Sequence, residues 1–236
     1  MAIATRPLEY EIDGNTYEAI VASDGAGEKP GVLVCHAWAG RSDFEVGKAK
    51  ALAELGYTGV AIDLYGKGVL GSSVEENQAL MTPFMDDRTM LQGRLGTIVE
   101  LVKCQREVDA GKVAIIGFCF GGLCALDAAR SNNEVAGVVS FHGLLGAPGN
   151  TADKINAKIL ALHGWDDPMA PPGDVIALGK ELTNANADWQ LHGFGGVMHA
   201  FTNPAANDAD FGTVYNADAD RRSWIAMKNF MAESFE

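Results

Sequence analysis

Residues 112–126 read Lys-Val-Ala-Ile-Ile-Gly-Phe-Cys-Phe-Gly-Gly-Leu-Cys-Ala-Leu: an aliphatic run, then Gly117-Phe-Cys119-Phe-Gly121-Gly122, then a stretch rich in Ala and Leu. A buried strand that turns at once into a helix has this form. The pattern is a nucleophile elbow with cysteine where serine usually stands. Gly117 and Gly121 must be small because the strand and helix backbones pass close beside the central residue. Cys119 would stand above the sheet at a helix N-terminus, where free N–H groups and the helix dipole favour the thiolate. Two blander readings stay open for this segment alone, a glycine-rich turn around a structural cysteine and a phosphate loop. The second lacks Gly-x-Gly-x-x-Gly and the acidic residue that would accompany it.

The same aliphatic character recurs in GVLVCHA (31–37), TGVAID (58–63), VAGVVSF (135–141) and KILALHG (158–164), as expected of strands buried on both faces. Helical stretches lie between them. Ser42 and Glu45 form a capping box ahead of residues 43–55, with Gly56 as the stop. Leu91, Leu95, Ile98 and Val102 share one face of a helix over 86–107, and Trp224, Met227 and Met231 do so over 218–234. This alternation predicts an α/β fold: one domain over residues 1–236, its mostly parallel sheet flanked by helices through right-handed crossovers. Residues 8–12 and 16–22 alternate apolar and polar around Asp13-Gly14-Asn15, which predicts an N-terminal antiparallel hairpin of edge strands. Residues 64–86 read as a long connection with a short helix, the kind of excursion that forms lids.

Composition narrows the partners. Of 236 residues 47% are apolar and 21% charged, which suits a globular chain, and 31 acidic against 18 basic residues give a net charge of −13. Such a surface repels phosphate backbones and anionic lipids, so neither nucleic acid nor a membrane is expected as a partner. No apolar run approaches the roughly 20 residues of a bilayer span. The start, Met-Ala-Ile-Ala-Thr-Arg, lacks the basic and long apolar segments of a secretory signal, so a cytoplasmic protein is expected. Cys35, Cys104, Cys119 and Cys124 are scattered without Cys-x-x-Cys spacing and are expected as reduced thiols. Cys124 reads as buried packing. His36, His142, His163 and His192 show no metal-ligand spacing, so neither metal nor cofactor is expected.

An elbow nucleophile needs an acid and then a base, in that chain order. Gly164-Trp-Asp166-Asp167-Pro-Met-Ala-Pro171 follows one strand and holds two carboxylates; Gly195-Gly-Val-Met-His199 follows the next probable strand, 188–194. Two oxyanion donors are also needed. Backbone N–H of Phe120 supplies one, and Ala37 or Trp38 in the loop His36-Ala37-Trp38-Ala39-Gly40 supplies the other. Trp38, Tyr65, Phe84 and Trp165 are candidates for an apolar substrate pocket, and Lys67 and Arg88 for contact with an anionic substrate.

With these residues in place the chain resembles the dienelactone hydrolase family of α/β-hydrolases. The matching segments are GFCFGG (117–122), HGWDDPMAP (163–171), GVMHAF (196–201), the His-x-Trp-x-Gly loop at 36–40 and Asp-Leu-Tyr-Gly at 63–66. The resemblance implies Cys119 as nucleophile, Asp167 rather than Asp166 as orienting acid because Pro171 follows at the family's interval, and His199 as base. Family members often place Glu directly after the His of the first loop, against the resting thiol; Ala37 stands there. They also place Arg shortly after the base to hold a substrate carboxylate, whereas Thr202 and Asn203 follow Phe201, so the dienelactone substrate itself is not implied. The expected activity is cofactor-free hydrolysis of a small carboxylic ester or lactone through a thioacyl-enzyme. The rival readings are a catalytically silent small-molecule binding protein and a thiol redox sensor. The sequence sets no oligomeric state.

Overall fold

Strands that are aliphatic on both sides require cover on both sides, and the computed structural model, which describes residues 2–236, supplies it. Eight strands form one sheet: β1 (Ala4–Ile12), β2 (Asn15–Ser23), β3 (Lys29–Cys35), β4 (Thr58–Ala61), β5 (Val108–Phe118), β6 (Gly137–Phe141), β7 (Lys158–Gly164) and β8 (Trp189–Phe194). Their spatial order is β1-β2-β4-β3-β5-β6-β7-β8. β3 to β8 run parallel, while β2 lies antiparallel to β4 and β1 antiparallel to β2. The helices are α1 (Asp43–Glu54), α2 (Val74–Asp86), α3 (Arg88–Lys103), α4 (Phe120–Arg130), α5 (Pro172–Asn184) and α6 (Ala217–Ser234). A small antiparallel ribbon, β9 (Asn207–Asp208) with β10 (Thr213–Val214), follows β8.

The period of two along each strand divides the core into two layers. Val32, Val34, Ile116, Val139 and Leu160 pack under α1 and α6 through Leu52, Ala53, Met227, Phe230 and Met231. Leu33, Ile115, Val138 and Ile159 face the other way, onto α2 to α5, through Phe84, Leu95, Ile98, Leu123, Val175 and Leu178. Both faces are therefore dry, and the loops at the C-terminal ends of the parallel strands are left to form a site.

Several boundaries differ from the sequence expectation. The hairpin turn is the two-residue pair Asp13-Gly14, both with positive φ (53° and 76°), and Asn15 already pairs with Ile12. Of the two hairpin strands β1 alone lies at the sheet edge, because β2 is taken up by β4. The helix expected over 86–107 is α3, shorter at both ends. Asp87 caps its start by accepting the Met90 N–H, and residues 104–107 turn the chain into β5. The excursion at 64–86 carries a helix of 13 residues, α2, which lies over the site described next. Among the described residues no helix is long and apolar enough to cross a membrane.

Candidate active site

The elbow is as tight as its glycines imply. A Cβ on Gly117 would lie 1.9 Å from the Gly121 carbonyl oxygen, and one on Gly121 would lie 2.2 Å from the Cys35 carbonyl oxygen. Between them Cys119 adopts φ 58° and ψ −119°, a conformation that L residues rarely adopt, directly ahead of α4. Its N–H is tied to the Phe141 carbonyl at 3.1 Å and its carbonyl accepts from Gly122 at 2.9 Å, so β6 and α4 together impose the strain. The side chain is partly exposed, whereas Cys35 and Cys124 are buried in the core and their thiols are pushed up by that burial.

His199 and Asp167 come to this thiol from the ends of β8 and β7. His199 Nδ1 lies 2.7 Å from Asp167 Oδ2, and Asp167 Oδ1 accepts the Met169 N–H at 2.8 Å. Asp167 is buried while its neighbour Asp166 is exposed, so the carboxylate that meets the imidazole is that of Asp167. His199 Nε2 is buried without a nitrogen or oxygen partner and lies on the Cys119 side. Burial opposes a charge on this ring, but the Cys119 sulfur and the Asp167 carboxylate outweigh it and push its pKa up to about 10. The backbone of His199 is held by the ribbon, donating to the Gly212 carbonyl and accepting from the Val214 N–H.

A second histidine lies against the first. His142, at the end of β6, has its ring centroid 5.1 Å from that of His199 and its Nε2 2.8 Å from Thr202 Oγ1. Burial, and then the charge of His199, hold its pKa well below the usual range, so it is neutral. Its Nδ1 has no partner.

On the opposite wall the loop after β3 is fixed from below. Ala37 N–H donates to the Glu45 carboxylate at 3.3 Å, the same carboxylate that closes the capping box with Ser42 N and Ser42 Oγ. His36 is fully buried; its Nε2 accepts the Leu64 N–H, so its Nδ1 carries the proton and donates to the Ala37 carbonyl at 2.7 Å. Burial keeps that ring neutral by lowering its pKa. The Gly40 N–H donates to the same Ala37 carbonyl.

Cys119, His142 and His199 open into a cavity of about 770 Å³, well matched to a small organic ligand. Its other walls are Trp38, Phe44 and Phe118, then Val74, Gln78 and Met81 of α2, and Phe211, which stacks on Trp38 with centroids 5.9 Å apart. Of the four aromatic candidates only Trp38 lines it. Tyr65 and Phe84 pack under the β3 loop against Phe120, and the Tyr65 hydroxyl donates to the Trp38 carbonyl, so they support the wall from behind. Trp165 is 42% exposed and covers Gly193 outside the cavity. Neither basic candidate reaches it: Lys67 is paired with Glu9 and Glu18, and Arg88 is held by Asp127 and the Gly146 carbonyl. Sequence reasoning overlooked His142, Glu45, Phe211 and the α2 side chains as part of the site. His142 was findable, since it follows a parallel strand at its C-terminal end, where α/β sheets bind ligands. Among the described residues no cluster of His, Cys, Asp and Glu could hold a metal ion.

The chain is similar to known proteins over most of its length. The Dienelactone hydrolase family matches the chain over residues 17–235. A protein of Aquifex aeolicus named as a candidate carboxymethylenebutenolidase is 30% identical over 230 residues, covering 94% of this chain and 96% of its own. The crystal structure of a dienelactone hydrolase-like promiscuous phosphotriesterase from metagenomic libraries superimposes with a TM-score of 0.93 at 32% identity, over 100% of both chains. A thermophilic esterase of Thermogutta terrifontis shares the fold, with a TM-score of 0.71 at 12% identity over 97% of this chain and 92% of its own.

Proposed function

The chain belongs to the dienelactone hydrolase family, and we propose that it is a carboxylic ester or lactone hydrolase working through a thioacyl intermediate on Cys119. The observation that carries this reading is the His199 ring, bonded at Nδ1 to Asp167 and free of nitrogen or oxygen partners at Nε2 beside the thiol. Passage of the Cys119 proton to His199 Nε2 gives the thiolate nucleophile beside an imidazolium that Asp167 balances. Sγ attacks the acyl carbon, and the carbonyl electron pair moves onto oxygen. That oxyanion accepts hydrogen bonds from backbone N–H of Phe120 and Trp38. Trp38 is preferred to Ala37 because the Ala37 N–H is already given to Glu45. His36 and Gly40 also hold the Ala37 carbonyl, and in a planar trans peptide the following N–H, that of Trp38, points the opposite way.

Collapse of the tetrahedral species breaks the C–O bond, and the departing alkoxide takes the His199 proton. Acylation also consumes the thiolate, one of the two groups that hold the His199 pKa up. The imidazole is thereby free to act as base, taking a proton from the water that attacks the thioester and releases Cys119 as thiolate. Asp167 keeps the Nδ1–H tautomer throughout.

The test uses 4-nitrophenyl acetate. The expected result is a burst of one nitrophenolate per chain, an acetyl adduct on the peptide containing Cys119, and loss of turnover in Cys119→Ala with an unchanged circular dichroism spectrum. Turnover that survives in that variant overturns the assignment. Tight binding of the ester without a burst would indicate the binding protein, and thiol loss to peroxide without esterase turnover the redox sensor. A second reading, attack on uncharged phosphotriesters, is favoured by the likeness to the phosphotriesterase structure; it predicts nitrophenolate release from diethyl 4-nitrophenyl phosphate that also depends on Cys119.

A further inference from the structure

We infer that the site is built for uncharged esters with an apolar body and excludes substrates that carry a carboxylate. The inference rests on the thioacyl reading and adds to it the class of molecule that enters. No Lys or Arg lines the cavity among the described residues. Lys48 lies behind the wall, its ammonium 5.0 Å from the Phe44 ring, 5.5 Å from the Phe118 ring and 3.9 Å from Asp220. The protonated ring of His199 is flanked by Asp167 and the Cys119 sulfur, and His142 is neutral. The one other ionisable group in the wall is an acid, Glu45. A carboxylate brought inside would lose its hydration, find no free cation and meet like charge, in a protein whose net charge is already −13.

What the cavity offers instead is apolar surface that continues to its mouth. Phe44, Met81, Phe118 and Leu144 lie inside, and Val74 and Phe211, 51% and 39% exposed, stand at the edge, Phe211 stacked on Trp38. Exposed apolar groups at the rim of a polar-poor cavity mark where an apolar part of the ligand lies. The polar groups of the lining are neutral: Gln78 is bonded to Thr82, Thr202 to His142 and Asn203 to the Ala205 N–H, while His142 Nδ1 has no partner and is left for a hydrogen bond with the ligand that requires no charge.

Two molecules that differ only at one end, a methyl ester against a carboxylate, decide the matter. 4-Nitrophenyl methyl adipate and 4-nitrophenyl hydrogen adipate have the same chain; the enzyme should hydrolyse the neutral diester with a kcat/KM at least about 100-fold higher near pH 7.5, after subtraction of spontaneous hydrolysis. In Gln78→Lys, which puts an ammonium into the wall, that ratio should fall by about tenfold or more. Binding is measured separately by calorimetry on Cys119→Ala, with dimethyl adipate expected to bind at least about tenfold more tightly than monomethyl adipate. Equal kcat/KM for the pair, or equal affinity of the two methyl esters, overturns the inference. Should neither nitrophenyl ester turn over, the thioacyl reading fails while the binding ratio still decides what the cavity accepts.

Discussion

Cys119, Asp167 and His199 stand at the ends of β5, β7 and β8 and meet through their side chains, whereas the facing wall, residues 36–45 under α2, presents a backbone amide oriented by buried side chains behind it. On the first side the chemistry proposed belongs to the side chains, a thiol as nucleophile and an imidazole as base. On the second side the donor proposed is a backbone N–H, which every residue except proline owns, and its specificity would lie in what holds the peptide plane. Side-chain machinery is announced by short motifs, and backbone machinery is not. The two sides should also fail differently, one in the nucleophile itself and the other only in the stabilisation of the oxyanion.

The largest effect short of removing the nucleophile is expected at Asp167. Asp167→Asn keeps the shape but can no longer fix the His199 tautomer or balance its charge, and kcat/KM for a small activated ester should fall on the order of 10³-fold. Asp166→Asn, on an exposed side chain with no role in the pair, should change it by less than about threefold. Reversal of this ranking would move the orienting acid to Asp166 and break the reading of the triad side.

The facing wall is tested through His36. His36→Leu removes the shorter of the two hydrogen bonds that hold the Ala37 carbonyl and leaves only that from Gly40, so the Trp38 N–H loses its aim and kcat should drop about 100-fold, the usual cost of one oxyanion donor, with KM little changed. Alkylation of Cys119 by iodoacetamide forms no oxyanion and should keep its rate within about twofold. His36→Asn, which retains an N–H toward the carbonyl, should recover part of kcat. If alkylation falls in parallel with kcat, His36 acts on the nucleophile and the distinction between the two walls is lost.

Much of this was legible in the sequence. The spacing of Gly117, Cys119 and Gly121 specifies the elbow because its steric demands are local, and alternation of buried runs with amphipathic helices specifies the sheet. Glu45 was visible as a capping residue, yet its bond to Ala37 joins residues eight apart across a loop whose path the sequence leaves open. Tyr65 and Phe84 are expected from the sequence to line the pocket, and they stand behind its wall instead. Their side of the loop is decided by packing against Phe120, and aromatic character alone does not distinguish a lining from its support. Phe211 lies in a segment without periodicity, so nothing local announced its stack on Trp38.

The smallest expected effect joins the two walls to the reaction cycle. His199 carries a pKa of about 10: burial pulls it down, and the Cys119 sulfur and Asp167 push it up more strongly. Carboxamidomethylation of Cys119 turns the sulfur into an uncharged thioether, much as acylation does, and leaves burial opposed by Asp167 alone. The His199 pKa should therefore fall by at least about one unit, read from the ring ¹³C shift between pH 6 and 11 in free and alkylated protein. The direction matters for catalysis, because a ring that stays protonated near pH 8 in the free enzyme protects the thiolate, and one that loses its proton more readily once the sulfur is capped can activate water. An unchanged pKa would mean that Asp167 alone sustains the imidazolium and that the thiol rests protonated. Deacylation would then need another base, and neutral His142, 5.1 Å away by ring centroid, would be the group to test next.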